Sequence, residues 1–287
     1  MTMVAPVAQA KRTAKRWART CADAVGRLVR STTPAELTAA LRGLGIRPGQ
    51  TMTVHSSFDG MRYFKGTPFH ALQAILDVVG PQGTVVMPTF SFDGRSYDYL
   101  RSGPSFDLRR TPAQTGLICE LLRRRKDAIR SLSPTHSVAA VGPLARMIVS
   151  DHENSLTPFD EHSPWRYLLE LNAWMVFVGV PDRLLPVSAS PHFDELLEGE
   201  FGVRIYHPER FEVRVLDGEG RERCIGTYAH DPETGRHRDY DRVCEHQARM
   251  GVLKRSRVGA ISLWGGQLRP LFESYRDLAQ KGIKAYR

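Results

Sequence analysis

Cysteine is too scarce in this chain to build a disulfide framework. Only Cys21, Cys119, Cys224 and Cys244 occur in 287 residues, none in a CxxC pair, so reduced thiols are expected and redox chemistry is not. Long apolar runs are also missing. No stretch reaches the ~18 residues that cross a bilayer, and the N-terminus is Arg-rich where a signal peptide needs an apolar core. A spanning helix and Sec secretion are not expected; a cytoplasmic protein with no membrane partner is. There is no internal repeat, no zinc-finger spacing, no RNA-binding aromatic motif and no Ser/Gly-rich linker. Acids are in deficit too: 31 Asp and Glu face 40 Lys and Arg, a formal charge of +9. Such a surface attracts anions, whether nucleic acid, phosphorylated cofactors, acidic proteins or anionic substrates, and the charge alone selects none of them.

Part of the excess is local. Lys11, Arg12, Lys15, Arg16, Arg19, Arg27 and Arg30 stand against one acid, Asp23, while Trp17, Cys21, Val25 and Leu28 recur at helical spacing. The pattern predicts a basic amphipathic helix within an arm spanning residues 1–33. It either packs its apolar stripe on the body or docks an acidic partner; a transit peptide and a nucleic-acid arm remain open as well.

Residues 34–287 read as one domain. Thr33-Pro34-Ala35-Glu36 supplies an N-cap, a first-turn Pro and a Glu three residues past the cap, predicting a helix from Pro34 to Arg42 that stops at Gly43. Thr51 to Val54 and Thr84 to Met87 are strand-like, and the helix opening at Thr67-Pro68 carries Leu72, Ile75, Leu76 and Val79 on one face. The order repeats with Gln114 to Arg125 helical, Ser137 to Ala140 extended, Ser163 to Leu171 helical and Trp174 to Val180 a buried strand. Short apolar strands alternating with amphipathic helices predict an α/β/α sandwich around a largely buried mixed sheet. Phe90 to Thr111 lacks any period and reads as a long functional loop. Tyr206 to Arg223, with its turn at Asp217-Gly218, reads as a hairpin, and a last helix runs from Pro270 to Lys281.

Two segments carry candidate chemistry. His55-Ser56-Ser57 ends the first strand, where α/β proteins bind ligands and where backbone N–H groups and small hydroxyls suit phosphate oxygens; a capped turn with a satisfied His is the plainer reading. His192-Phe193-Asp194-Glu195 sets an imidazole and a carboxylate three apart on one helix face, an arrangement that would fix a tautomer for a general base. A surface His with an incidental Glu is the plainer reading there. His230, His237, Cys244 and His246 match no zinc spacing, so no metal is expected.

Taken in order, these segments resemble the aminoglycoside 3-N-acetyltransferase (antibiotic N-acetyltransferase) family, whose fold differs from the GNAT acetyltransferases. The resemblance rests on Leu44-Gly45-Ile46 with Gly49, Val54-His55-Ser56-Ser57, Gly80-Pro81-Gln82-Gly83-Thr84 with Met87-Pro88-Thr89, and Phe106-Asp107 with Pro112, Thr115, Gly116 and Glu120. It continues through Arg130-Ser131, Pro134, Ser137-Val138-Ala139-Ala140-Val141-Gly142, Ser163-Pro164, Val178-Gly179-Val180 and His192 with Glu195. It implies an acyl-CoA co-substrate, in the first place acetyl-CoA, and direct transfer to an amine. His192 would be the general base and Glu195 would orient and polarise it, with His55, Ser56, Ser57, Arg130, Ser131 and Ser137 contacting CoA.

This chain departs from the family pattern twice. Ala189 stands where the family has Thr three residues before the His, so Ser188, Ser190 or a backbone amide is left to assist the thioester carbonyl. Ser133 stands where the family has His, with His136 three residues on, which implies a changed acceptor pocket. A +9 surface also opposes polycations, although Asp93, Asp98, Glu198 and Glu200 are available to line a pocket. An amino sugar or natural-product intermediate with anionic groups is therefore the expected acceptor, and aminoglycoside resistance the alternative. The arm would then dock an acyl carrier protein. A non-catalytic basic module for an acidic protein or nucleic acid is the reading from another class, though nucleic acid is not the expected partner.

Overall fold

The computed structural model describes residues 17, 23–181, 190–201, 204–236 and 240–282, without the side chains of residues 190, 191 and 198–201. In chain order the elements begin with α1 (Pro34–Gly43), β1 (Thr51–Ser56), α2 (Pro68–Val79), β2 (Thr84–Pro88), α3 (Ser96–Arg101), β3 (Ser105–Asp107) and α4 (Leu117–Arg123). Next come β4 (Ile129–Arg130), β5 (Val138–Val141), α5 (Ala145–Val149), α6 (Pro164–Glu170), β6 (Trp174–Val178) and α7 (Ser190–Phe201). The chain continues with β7 (Tyr206–Leu216), β8 (Glu222–His230), α8 (Pro232–Arg236), α9 (Tyr240–Arg249), β9 (Lys254–Val258), β10 (Ile261–Gln267) and α10 (Leu268–Gln280).

Seven strands form the main sheet in the order β4-β5-β2-β1-β6-β10-β9. The central three, β2, β1 and β6, are parallel, and the flanking strands pair antiparallel. Parallel neighbours need crossovers, and the crossovers place helices on both faces, so the central strands are buried on both faces: β6 is apolar throughout, while β1 also buries Thr51, Thr53 and Ser56. Successive residues go to opposite layers. Val85, Met87, Val176 and Val178 join the cluster under α1, α2 and α4, with Leu37, Leu41, Leu72, Ile75 and Ile118. Val86, Met175 and Phe177 join the other cluster, with Ile148, Trp165, Leu168, Phe193, Leu271 and Tyr275. Helix starts follow the caps read from sequence: Thr33 Oγ1 accepts the Glu36 N–H at 3.3 Å while Glu36 accepts the Thr33 N–H at 2.7 Å.

Three expectations change. The segment 90–111 is not irregular throughout. It contains α3 and β3, and β3 pairs parallel with β7 in a second sheet, β3-β7-β8. That partner lies more than a hundred residues away, so no local period could announce the strand. The helix expected from Gln114 to Arg125 is shorter, Leu117–Arg123, because Gly116 takes a positive φ of 114° at its start. In the arm, only residues 17 and 23–33 are described, and a helix covers 23–29. Its apolar stripe does not pack on the body: Trp17, Val25 and Leu28 are 67%, 59% and 84% exposed. The contacts are polar and small instead, with Asp23 accepting from Arg62 Nη2 and Tyr63 Oη at 2.8 Å each and Gly26 lying against the Tyr63 ring.

One close approach shapes the sheet's carboxyl edge. The loop after β1 crosses the end of β6, where Ser57 N–H donates to Val178 C=O at 3.0 Å. A Cβ on Gly60 would lie 1.8 Å from the Gly179 carbonyl oxygen, and one on Gly179, whose φ is 67°, would lie 2.6 Å from the Ser57 carbonyl. Gly60→Ala should therefore cost about 2 kcal/mol or more, read as a lower urea midpoint at unchanged slope. An unchanged midpoint would mean the two loops do not meet as described.

Candidate active site

The carboxyl ends of β1, β2 and β6 open into a cleft of about 810 Å³, within the range of small-molecule sites. His55, Ser56 and Ser57 line it, as the strand-end reading anticipates, together with Thr115 and Gly116 at the start of α4. Its opposite wall is aromatic: Phe90, Phe92, His136, Phe159 and His230. His136 meets Phe90, Phe92, Phe159 and His230 with ring centroids 4.6, 5.0, 5.2 and 5.6 Å apart. Asp59, Asp93 and Asp231 bring three carboxylates to the lining, and Arg95 and Arg236 bring two guanidinium groups.

His55 stacks on Phe177 at 5.2 Å and Trp165 at 6.2 Å, and its Nε2 has no hydrogen-bond partner among the described residues. Burial pushes its pKa down to about 3, so the ring is neutral at ordinary pH. His192 and Glu195 do share α7, but the geometry between them differs from the expected one. Glu195 does not hold the imidazole. His192 Nδ1–H donates to the Phe159 carbonyl at 2.7 Å, because that carbonyl sits directly against the ring. A carbonyl can only accept, so the proton is fixed on Nδ1 and the lone pair on Nε2, which has no partner among the described residues. Burial lowers the pKa of His192 to about 4, opposed by the Phe159 hydrogen bond and the Asp160 charge. Glu195 accepts from Thr157 Oγ1 and from Tyr206 Oη, each at 2.5 Å.

Arg130, Ser131 and Ser137 do not reach the cleft. Arg130 Nε donates to Ser137 Oγ at 3.0 Å, Nη2 to Thr89 C=O at 2.8 Å and Nη1 to Thr111 C=O at 2.6 Å, with the guanidinium 4.7 Å from the Phe106 ring centroid. Ser131 Oγ accepts the Val138 N–H at 2.9 Å and pairs with His152 Nδ1 at 2.8 Å. Most of these donors are consumed in a buried network away from the cleft, and Arg130 ties the carbonyls of Thr89, Leu108 and Thr111 to the sheet. Of the expected pocket acids, Asp93 lines the cleft, Asp98 lies on α3 outside it, and the side chains of Glu198 and Glu200 lie outside the described residues. Ser188, Ala189 and His237 are outside them as well, as is the Ser190 side chain. No three His, Cys, Asp or Glu among the described residues are placed to hold a metal, and no described helix is long and apolar enough to cross a membrane. Phe159, Thr157 and Tyr206 have no signal as site residues in the sequence, since they come from loops and strands far apart in the chain; in the aromatic wall, Phe90 and Phe92 come from the segment read as a functional loop and His136 from the changed acceptor position.

Residues 53–280 match the aminoglycoside 3-N-acetyltransferase family. The chain belongs to this family. It is 34% identical over 147 residues to aminoglycoside N(3)-acetyltransferase IV of Salmonella sp, a match that covers 51% of this chain and about half, 53%, of that relative's length. It is 27% identical over 242 residues to aminoglycoside N(3)-acetyltransferase III of Pseudomonas aeruginosa, covering 79% of this chain and 86% of the relative. In fold it resembles aminoglycoside acetyltransferase AAC(3)-Xa, with a TM-score of 0.71 at 24% identity over 88% of this chain and 94% of that one. It also resembles AAC-IIIb in its binary complex with CoASH, with a TM-score of 0.72 at 22% identity over 89% and 99%. Like those family members it is an N-acyltransferase.

This family member should lose stability in mild acid. His55, His152 and His192 have folded pKa values of about 3, 4 and 4, all lowered by burial. Above the ordinary His value of ~6.5 both states are neutral. As pH falls from there towards about 4, the unfolded chain binds protons that the folded rings refuse, at about 1.4 kcal/mol per pH unit per ring. The urea midpoint should therefore drop between pH 7 and pH 5, and His55→Gln should flatten the slope. A midpoint equal at both values would contradict the burial of these rings.

Proposed function

We propose that the protein transfers the acetyl group of acetyl-CoA directly to a primary amine of a cationic amino sugar of the aminoglycoside class, with His192 as general base. The observation that supports this reading is the single tautomer of His192, whose buried Nε2 lone pair has no partner among the described residues; His192 does not itself line the cleft and is joined to its wall through Phe159, which does. An amine that has attacked a thioester carbonyl carries a positive N–H far more acidic than its parent ammonium. A neutral ring with a low pKa still takes that proton, and the thiolate of CoA leaves as the carbonyl re-forms. Glu195, one turn along the helix, is held by Thr157 and Tyr206, and the nearby Asp160 charge favours the imidazolium that results. The strand-end edge at His55, Ser56 and Ser57 is where we place the CoA arm.

The acceptor is where the net charge misleads. A surface of +9 favours an anionic substrate, but the cleft carries Asp59, Asp93 and Asp231 against Arg95 and Arg236, and the relatives bear the names of aminoglycoside acetyltransferases. Local carboxylates recruit a polycation more effectively than a distant basic arm repels it, since charges beyond about 8 Å are largely screened at physiological salt. The aminoglycoside acceptor therefore replaces the anionic one. An acyl carrier protein is the rival donor, supported by Trp17, Val25 and Leu28 exposed beside Arg27 and Arg30. Reversing Arg27 and Arg30 to Glu would weaken a carrier-protein donor and leave acetyl-CoA unaffected.

Thiol release from acetyl-CoA, followed by dye across aminoglycosides, simple amino sugars and amino acids, tests the proposal. Turnover is expected with the first class. His192→Gln should lower kcat by roughly 10²- to 10⁴-fold with little change in the KM for acetyl-CoA. Asp93→Asn with Asp231→Asn should raise the aminoglycoside KM at near-constant kcat. Wild-type turnover in the His192 variant would remove the base from the mechanism, and thiol release confined to anionic amines would restore the other acceptor.

A further inference from the structure

The loop over residues 155–163 joins the short turn at His152–Asn154 to α6 and has no regular hydrogen-bonding ladder of its own. One carboxylate replaces that ladder. Asp160 Oδ2 accepts the N–H groups of Leu156 and Thr157 at 2.7 and 3.1 Å, and Oδ1 accepts the His162 N–H at 3.0 Å. The Asp160 carbonyl accepts from both the N–H and the hydroxyl of Ser163, at 3.0 and 2.7 Å, which anchors the loop to the start of α6. Backbone N–H groups on both sides of Phe159 thus converge on one side chain, which dictates where residues 156–162 lie.

That loop presents two groups to α7. The Phe159 carbonyl takes His192 Nδ1–H at 2.7 Å, and the Thr157 hydroxyl donates to Glu195 at 2.5 Å. Both members of the HxxE pair are therefore positioned from outside their own helix, by chain segments wrapped on one carboxylate. We propose that Asp160 is the positioning residue of the acetyl transfer, fixing the tautomer and orientation of His192 through the Phe159 carbonyl and the placement of Glu195 through Thr157. Asp160 contacts neither reacting group by hydrogen bond. It acts through the loop, and its charge favours a proton on His192 in addition. The inference rests on the reading of His192 as the general base.

The test compares Asp160→Ala with Asp160→Asn in the full chain. Asparagine keeps an acceptor oxygen for part of the loop; alanine keeps none. Asp160→Ala should lower kcat ten- to a hundredfold, the scale of a misplaced catalytic group. The KM for acetyl-CoA should stay within about twofold, because the wall at His55, Ser56 and Ser57 belongs to another element. Asp160→Asn should recover part of the loss. The decisive readout is the nitrogen NMR spectrum of the His192 ring at pH 7. One neutral tautomer with the proton on Nδ1 is expected in the native protein, and exchange between both tautomers in Asp160→Ala. A lowered melting temperature with native kcat and a single native tautomer, measured well below that temperature, would overturn the proposal. The two failures are separable: wild-type turnover in His192→Gln removes the base reading and the inference with it, whereas loss of turnover in His192→Gln with native kcat and a single native tautomer in Asp160→Ala removes the inference alone.

Discussion

Parallel pairing of β1 with β2 on one side and β6 on the other is the constraint from which the rest of this structure follows. Parallel strands share a direction, so their carboxyl ends emerge on one edge, and each crossover lays a helix across a face of the sheet. Both faces are then buried, which accounts for the apolar run of β6 and for core residues that alternate between two layers. The shared edge is also where backbone N–H groups are left unpaired and where the loops after three strands converge. The cleft occupies that edge.

Around the cleft, polar groups follow two different rules. Arg130 donates to Ser137 and to the Thr89 and Thr111 carbonyls, and Ser131 engages the Val138 N–H and His152, so they rigidify the structure around the cleft. His55 and His192 each keep one nitrogen unpartnered among the described residues despite deep burial. Leaving such an atom unmatched costs about 1–3 kcal/mol, and a folded protein retains that cost chiefly where a ligand or a transferred proton completes the site. Phe177 and Trp165 against His55 and Phe193 beside His192 lower the local polarity, which keeps the rings neutral and their lone pairs available.

Much of the architecture is legible in the sequence because its signals are local. Thr33 and Thr67 cap helices, and Val85, Val86 and Met87 read as a buried strand from their side chains alone. The hairpin of β7 and β8 shows in the alternation around Phe211, Val213 and Val215. What was hidden is whatever depends on a remote partner. The strand β3 exists only because β7 offers it an edge, and Arg130 looks like a phosphate ligand until Thr89, Thr111 and Ser137 are seen to take its protons. The His192 and Glu195 spacing was visible, yet their partners were not, because Phe159 and Thr157 approach from a loop more than thirty residues earlier in the chain.

The second sheet has a core of its own, made by Phe106, Leu100, Phe211, Val213, Val215 and Ile225 and separate from the two layers of the main sheet. His230 and Asp231, at the end of β8, belong to that module, while His55, Ser56 and Ser57 belong to the main sheet. Substitutions that repack the small core therefore act on the His230–Asp231 part of the cleft wall, while Phe159 and the His55–Ser57 edge rest on the main sheet. In evolutionary terms the two halves of the site are free to drift at different rates. A lineage with this architecture can exchange one amine for another through changes in a hairpin's interior, while the edge that we assign to the acyl donor stays under unaltered selection.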